Sequence, residues 1–218
     1  MRNRAWMFLW RLALAACAAG CEQSSAPLGD LPTRDLAFIA RSQPANSVRA
    51  DAPQQWPEQL SHLPACRDWR YIVIHHSATA ADNAHTMGTA HRAKGWDDLG
   101  YHFVIDNGSG GQDGQVEVGP RWRLQKWGAH AGGTPNNEYN NHGIGICVVG
   151  DFSNHLPSQV QLASLRSLVA QLAWRYDILP ENIIGHRDAP GTATQCPGDA
   201  LHDWIDRTLR PAEAALRR

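Results

Sequence analysis

Residues 69–76 read Trp-Arg-Tyr-Ile-Val-Ile-His-His, the clearest structural signal in the chain. The β-branched and aromatic residues in this run are typical of a buried strand. Side chains alternate along a strand, so His75 shares a face with Tyr71 and Val73, whereas His76 points to the opposite face. The run therefore predicts a buried strand that presents only one of its two histidines to any one site.

Strand and helix patterns alternate after this first strand. The predicted elements are a helix at residues 82–94 stopped by Gly95, strands at 101–105 and 116–118, a third long strand at 143–150, a helix at 157–176, a short strand at 182–185 and a final helix beginning near 197–199. We interpret the glycine-rich turn at 106–114 as a hairpin, because it lacks the acidic spacing of a calcium loop. The mixture predicts a single α/β domain that contains both strands and helices.

The N-terminus is typical of an export signal, which we assign to residues 1–21. Three arginines precede the apolar residues 12–16, a run too short to span a bilayer permanently. Cys17 and Cys21 each follow small residues, as in the lipobox of bacterial lipoproteins. Leu14 favours Cys17, and the longer apolar run favours Cys21; an ordinary cleaved signal with incidental cysteines is the alternative. We therefore expect a periplasmic or cell-envelope lipoprotein, bound to the membrane through a lipid.

Residues 22–65 are rich in Ser, Pro, Ala, Gln and Asp without any period, which predicts a flexible linker before a domain at 66–212. Lys and Arg number 20 and Asp and Glu number 21, so no broad basic surface favours nucleic acid, and we expect a monomer. Three cysteines remain in the domain, an odd number for an oxidising compartment. A disulfide between Cys66 and Cys147 and two buried thiols both remain open, and Cys196 is the candidate for another role.

Two histidines and one cysteine fall where predicted strands end or loops begin. His75 ends the first strand, His186 follows the last strand, and Cys196 precedes the final helix. Two imidazoles and one thiolate leave a fourth tetrahedral position open, as in a catalytic zinc site, and they favour zinc over magnesium or calcium. The alternative is two satisfied histidines and a buried thiol, since no compact H-E-x-x-H helix is present.

Several segments carry a resemblance to a known family. They are IVIHHSAT at 72–79, GW at 95–96 with GYHF at 100–103, GAHA at 128–131, GIGI at 143–146, and GHRD at 185–188 with TQCPG at 194–198. In this order, over about residues 69–209, they resemble the type 2 N-acetylmuramoyl-L-alanine amidases, a family that includes phage T7 lysozyme and the peptidoglycan recognition proteins. The resemblance implies an α/β fold with a central mixed sheet flanked by helices and a zinc cleft at the edge loops of the sheet. The implied activity is hydrolysis of the amide between N-acetylmuramic acid and L-alanine.

The same resemblance implies roles for particular residues. It makes three of them the ligands of one Zn²⁺: His75, His186 and Cys196. Tyr101 falls at the catalytic tyrosine of the family, and Thr194 stands where catalytic recognition proteins also have threonine. Members of a cytosolic branch carry a glutamate where this chain has Cys147, so the tyrosine-containing branch is the closer match. Asp188 is a candidate hydrogen-bond acceptor for a ligating imidazole, and the alternative is that it only forms a salt bridge or turn contact.

Substrate contacts are implied less directly. His130 resembles a cleft residue that contacts the muropeptide, and either Asn140 or Asn141, with Asn141 preferred, could bind the peptide stem. Trp96 could contact sugar. The structural alternatives are that the asparagines shape a turn and that the tryptophan belongs to the core.

Two other functions compete with the amidase interpretation. One is a module that binds peptidoglycan without cutting it, as family members lacking the cysteine ligand do; the presence of Cys196 and Tyr101 favours hydrolysis. The other is a hydrolase with Ser77 or Ser109 as nucleophile, which is disfavoured because no Gly-x-Ser-x-Gly elbow occurs. The expected partner is peptidoglycan or a muropeptide.

Overall fold

A five-stranded mixed sheet forms the centre of the fold in the computed structural model, which describes residues 67–210. The strands are β1 (Tyr71–His76), β2 (Phe103–Ile105), β3 (Val116–Val118), β4 (Gly143–Val148) and β5 (Ile183–Gly185), in the spatial order β3-β2-β4-β1-β5. β1 is parallel to both β4 and β5, β2 is parallel to β4, and β3 is antiparallel to β2. The predicted mixed α/β architecture is confirmed, and the 106–114 segment joins β2 to β3 as a hairpin turn.

Five α-helices accompany the sheet in the described residues: α1 (Ala84–Ala93), α2 (Pro120–Arg123), α3 (Glu138–Asn141), α4 (Gln159–Tyr176) and α5 (Asp199–Thr208). Single 3-10 turns lie at Pro135–Asn137, Pro180–Asn182 and His186–Asp188. The sequence pattern did not predict α2 and α3, since four residues are too few to show a helical period.

The two long predicted helices begin two residues later than expected, because capping side chains mark their starts. Asn83 caps α1 and accepts a hydrogen bond from Thr86 N, and Ser158 caps α4 and accepts one from Gln161 N. Both helices have a full capping box, which satisfies backbone donors that the first turn would otherwise leave free. At the other end of α1, Gly95 adopts a φ of 86°, in agreement with its predicted role as a helix stop.

The predicted strands are trimmed at their ends. β2 begins at Phe103, two residues later than predicted, and β4 ends at Val148 rather than at residue 150. The chain turns away at Gly150, which has a φ of 143° and packs so closely on the ring of Phe152 that a Cβ would lie 2.4 Å from it. Asn182 belongs to a 3-10 turn, so β5 begins one residue later than predicted.

The main hydrophobic core lies on the face of the sheet that carries Ile72 and Ile74 of β1, and helices α4 and α5 contribute to it. Fully buried members include Leu165 and Leu168 from α4 and Ile205 from α5. Each such side chain contributes about 1.5–3 kcal/mol relative to an exposed one. Because side chains alternate, the core fastens one face of β1 and leaves His75 on the other.

Several sequence predictions fall outside the described residues. The signal peptide at 1–21 with Cys17 and Cys21, the linker at 22–65 and Cys66 all lie there, so they remain predictions. Cys147 is described, and it is a fully buried free thiol. Across residues 67–210, no helix combines the length and apolar character that a membrane crossing requires.

Candidate active site

Three side chains predicted from separate parts of the sequence converge at one edge of the sheet. β1 and β5 are parallel, with Ile74 opposite Gly185, so His75 and His186 emerge side by side as each strand ends. Cys196 joins them from the segment before α5. One nitrogen of each histidine and the Cys196 sulfur all lie within 4.8 Å of one another. The Nδ1 atom of His75 is 3.7 Å from Cys196 Sγ, and the two histidine rings are 4.5 Å apart.

The donor set of this cluster fits zinc. Nitrogen and sulfur atoms bound tetrahedrally at ordinary zinc distances, about 2.0 and 2.3 Å, are separated by roughly 3.5 Å, close to the observed nitrogen–sulfur distance. Two imidazoles and one thiolate are soft or borderline ligands, unlike the oxygen ligands that magnesium and calcium prefer. Within residues 67–210, this is the one group of three or more metal-binding side chains that converges so closely.

Cys196 is half-buried, and its sulfur lies close to backbone groups of His76. Burial raises the pKa of the Cys196 thiol to about 12, while the backbone N–H of His76, 3.4 Å from Sγ, acts in the opposite direction. Arg187 N donates to the Cys196 carbonyl at 2.8 Å, which joins the loops that carry His186 and Cys196. Thr194 Oγ1 accepts from Cys196 N at 3.1 Å, so the predicted threonine lies directly beside the cluster.

The carboxylate of Asp188 contacts groups other than the histidines of the cluster. It accepts from Gly185 N at 2.9 Å and from Arg210 at 3.0 Å, and it lies 2.8 Å from His202 Nε2. These contacts join the turn that carries His186 to His202 of α5 and to Arg210, whereas no hydrogen bond joins Asp188 to His75 or His186 in the described residues. Of the two interpretations of Asp188, the salt bridge and turn contact therefore fits these contacts.

The buried partner of His75 is another histidine. His75 Nε2 lies 3.1 Å from His130 Nδ1, and His130 Nε2 lies 3.3 Å from the carbonyl oxygen of Gly143. Desolvation by burial, and then neighbouring histidines, lower the pKa values of both rings well below the usual histidine value. His130 was predicted to contact substrate, but it is only 7% exposed and its nitrogens are already engaged.

Tyr101 flanks the cluster on its aromatic side. Its ring lies 5.1 Å from the ring of His75. Burial raises the pKa of Tyr101 well above its usual value, and the neighbouring Cys147 and Cys196 act in the same direction. Tyr101 therefore remains a neutral phenol that can donate a hydrogen bond but cannot act as a base near neutral pH.

Trp96 lies farther from the His-His-Cys cluster than Tyr101 does. The ring of His91, a residue that the sequence analysis missed, lies between the two. His91, on α1, has its ring 4.5 Å from Trp96 and 5.8 Å from Tyr101, and its Nδ1 accepts from Gly100 N at 3.0 Å. Trp96 is 41% exposed, so the row ends in an accessible aromatic face. No local motif distinguishes His91 from other polar residues of a helix, and only the fold brings it here.

The two asparagines shape the loop that carries His130. Asn140 is buried, and its Oδ1 accepts from His130 N at 2.7 Å and from Ala131 N at 2.9 Å. Asn141 donates from Nδ2 to Asn136 O at 3.1 Å. The turn-shaping interpretation fits Asn140, and no hydrogen bond joins Asn141 to the cluster in the described residues.

A mixed α/β domain with a His-His-Cys cluster where its parallel strands end is the class of protein that these observations define. The model of the N-acetylmuramoyl-L-alanine amidase family, Amidase_2, matches residues 65–199, and the chain belongs to this family.

Individual relatives agree with this assignment. The human N-acetylmuramoyl-L-alanine amidase is 31% identical over 189 residues, covering 77% of this chain and 30% of that protein. Peptidoglycan recognition protein 1 of Bos taurus is 34% identical over 148 residues, covering 63% of this chain and 71% of its own. The amidase LysC of Clostridium intestinale superposes with a TM-score of 0.55 at 28% identity, over 66% of this chain and 86% of that one. The chain spans less than a third of the length of the first curated amidases that it matches.

Proposed function

We propose that this protein is a zinc-dependent hydrolase of the amide bond between N-acetylmuramic acid and L-alanine in bacterial peptidoglycan. The convergence of His75, His186 and Cys196 within 4.8 Å carries the proposal. Three protein ligands leave a fourth position for water or substrate, which is the arrangement of catalytic rather than structural zinc. The family of the chain supplies the substrate class.

In the proposed reaction, zinc activates water and the amide carbonyl, and the hydroxyl groups of Tyr101 and Thr194 stabilise the developing oxyanion. Zinc in such a ligand set supplies a hydroxide nucleophile at neutral pH and a Lewis acid for the amide carbonyl. Tyr101 is a neutral phenol beside His75, so it donates a hydrogen bond to the oxyanion that develops as the carbonyl is attacked. Thr194 Oγ1 accepts from Cys196 N, which orients its own hydroxyl proton for donation to the same oxygen.

Substrate binding is proposed on the outer side of this cluster. Trp96 offers an exposed aromatic face to a sugar ring, since carbohydrates pack on such faces through their C–H groups. Asn141 is proposed to contact the peptide stem. Family relatives named for peptidoglycan recognition support a muropeptide as the ligand.

Mass spectrometry of muropeptides incubated with the purified chain tests the proposal. The expected product is the stem peptide with a free L-alanine amine, and chelation should abolish it until zinc is restored. Cys196→Ser should release none, whereas His85→Ala, which removes an exposed imidazole from α1, should cleave like wild type. Uncleaved muropeptides that still bind the zinc-loaded chain would contradict hydrolysis and favour recognition without cleavage.

We also propose, from the sequence alone, that residues 1–21 direct export and that Cys17 or Cys21 carries a lipid. Residues 22–65 would then act as a flexible linker between the membrane and the catalytic domain at 66–212. An enzyme held this way acts on wall polymer within reach of its linker and works as a monomer in the cell envelope.

A further inference from the structure

Both ring nitrogens of His130 have partners, and one partner determines the protonation of the ring. The carbonyl oxygen of Gly143, 3.3 Å from His130 Nε2, can only accept a hydrogen bond, so Nε2 carries the proton. No carboxylate is hydrogen-bonded to His130 in the described residues, and an unpaired charge is costly to bury, so the ring is neutral. Its Nδ1 must therefore accept, which means that His75 Nε2 donates across their 3.1 Å contact.

A neutral His75 that carries its proton on Nε2 has a free lone pair on Nδ1. That nitrogen is the one 3.7 Å from Cys196 Sγ. We infer that His130 is a positioning residue that holds His75 in the tautomer and ring orientation with Nδ1 directed at the His186–Cys196 cluster. The inference deepens the proposed zinc site, on which it rests, and it replaces the expectation that His130 contacts substrate.

The surroundings of His130 are built to hold the ring in place. A Cβ added at Gly128 or at Gly145 would lie 2.3 Å from His130 Cδ2, so the ring occupies a slot that only glycine permits on both sides. Asn140 fixes the backbone by accepting from His130 N at 2.7 Å. A side chain that reaches out to a ligand has no need of such a slot, whereas one that orients a metal ligand does.

Two substitutions of similar shape separate positioning from substrate contact. His130→Leu removes the acceptor for His75 Nε2–H, and His130→Asn replaces it with an amide oxygen near the position of Nδ1. Competition with a chromophoric chelator should show zinc affinity about 10- to 100-fold lower in the leucine variant, the range for lost outer partners of ligating histidines. The asparagine variant should recover most of that loss. Unchanged zinc affinity in His130→Leu, with a raised KM for muropeptide, would overturn the inference.

A second pair of variants moves the ring without altering it. Gly145→Ala places a methyl group against His130 and should weaken zinc binding, whereas Gly132→Ala, in the same loop region, has no heavy atom within 4 Å of the added carbon and should not. Equal zinc affinities in the two variants would contradict the positioning role.

The tautomer itself can be read in the metal-free wild-type chain by long-range ¹H–¹⁵N correlation of the histidine rings. The expected spectrum has the His75 proton on Nε2, and a proton on Nδ1 would overturn the inference even if variants fail to fold. This readout is independent of catalysis. Lack of amidase activity with the expected tautomer would defeat the proposed function alone, and activity with the opposite tautomer would defeat the positioning role alone.

Discussion

At the scale of single residues, Tyr101 is the group whose chemistry follows most directly from its environment. Burial raises its pKa well above the usual value, so it keeps its proton beside His75. Tyr101→Phe should therefore lower kcat about 10²- to 10³-fold, as expected for the loss of one oxyanion donor, and leave zinc affinity unchanged. Muropeptide kinetics and chelator competition measure the two quantities. Tyr139→Phe, on α3, is the matched control, and equal kcat values in both variants would contradict the assignment.

Asp106 is a buried carboxyl group, and it should make the stability of the protein depend on pH. The residue is fully buried with neither carboxylate oxygen satisfied in the described structure, and burial followed by the charge of Glu117 raises its pKa to about 7. The unfolded value is about 4, so the folded state binds more protons between these limits. This contribution to stability is present below about pH 4 and is lost as pH rises through 7.

Asp106→Asn removes that titration and nearly keeps the shape of the side chain. It should stabilise the protein at pH 8 by about 2 kcal/mol, roughly half the linkage limit, and change little at pH 4. Urea denaturation at several pH values measures the effect. Asp203→Asn, an exposed acid on α5, should leave the pH profile unaltered. A wild-type pH slope in Asp106→Asn would show that Asp106 does not titrate in this range.

The chemical identity of the cluster residues was accessible from sequence, but their second partners were not. His75, His186 and Cys196 follow strand ends or precede a helix, which made them candidates, and the family resemblance then implied that they form one set of ligands. The hydrogen bond from His75 to His130 spans 55 residues and depends on the glycine slot around the ring. Nothing local in the sequence specifies such a contact, so the sequence analysis had no signal for it.

At the scale of elements, the approach of the Cys196 segment to helix α5 depends on Gly198. Its φ is 89°, and a Cβ there would lie 2.4 Å from the backbone carbonyl carbon of Phe152. Gly95 has a similar φ of 86° but no heavy atom within 4 Å of an added Cβ. An alanine at Gly95 would therefore meet only backbone strain, whereas an alanine at Gly198 would meet both backbone strain and a steric clash.

Alanine at these two positions should have unequal effects. Gly95→Ala should cost about 1 kcal/mol for the left-handed conformation alone, and Gly198→Ala should cost about 3 kcal/mol because backbone must also move. Only Gly198→Ala should weaken zinc binding, since Cys196 lies two residues away. Urea denaturation and zinc titration measure these effects. Equal losses of stability in the two variants would show that the contact with Phe152 relaxes freely.

Helices and strands were predictable where a period or a cap could be counted. The eighteen-residue α4 was expected within two residues of its observed start because its apolar period is long, and the cap at Ser158 accounts for the difference. The four-residue helices α2 and α3 were missed, and they form only because tertiary packing fixes segments too short to be stable alone.

At the scale of the whole molecule, the spatial order of the strands could not be read from the chain. β1 lies between β4 and β5, although more than sixty residues separate β1 from either partner. Parallel pairing joins strands across long crossovers, and hydrophobic strands carry no local mark of their neighbours. The family resemblance supplied the mixed sheet; local pattern alone supplied only its parts.

The location of the protein in the cell is the property of the whole chain most open to a direct test. A single acyl chain gives only marginal membrane binding, so a stable anchor requires lipid on Cys17 or Cys21 with a second chain. In a bacterial host fed an alkyne-labelled fatty acid, the wild-type chain should be labelled and should leave the membrane with detergent but not with salt. Serine at one of these two cysteines should abolish the label, and Cys66→Ser should retain it. An unlabelled wild-type chain, or label that survives both substitutions, would mean that the N-terminal cysteines are incidental to export.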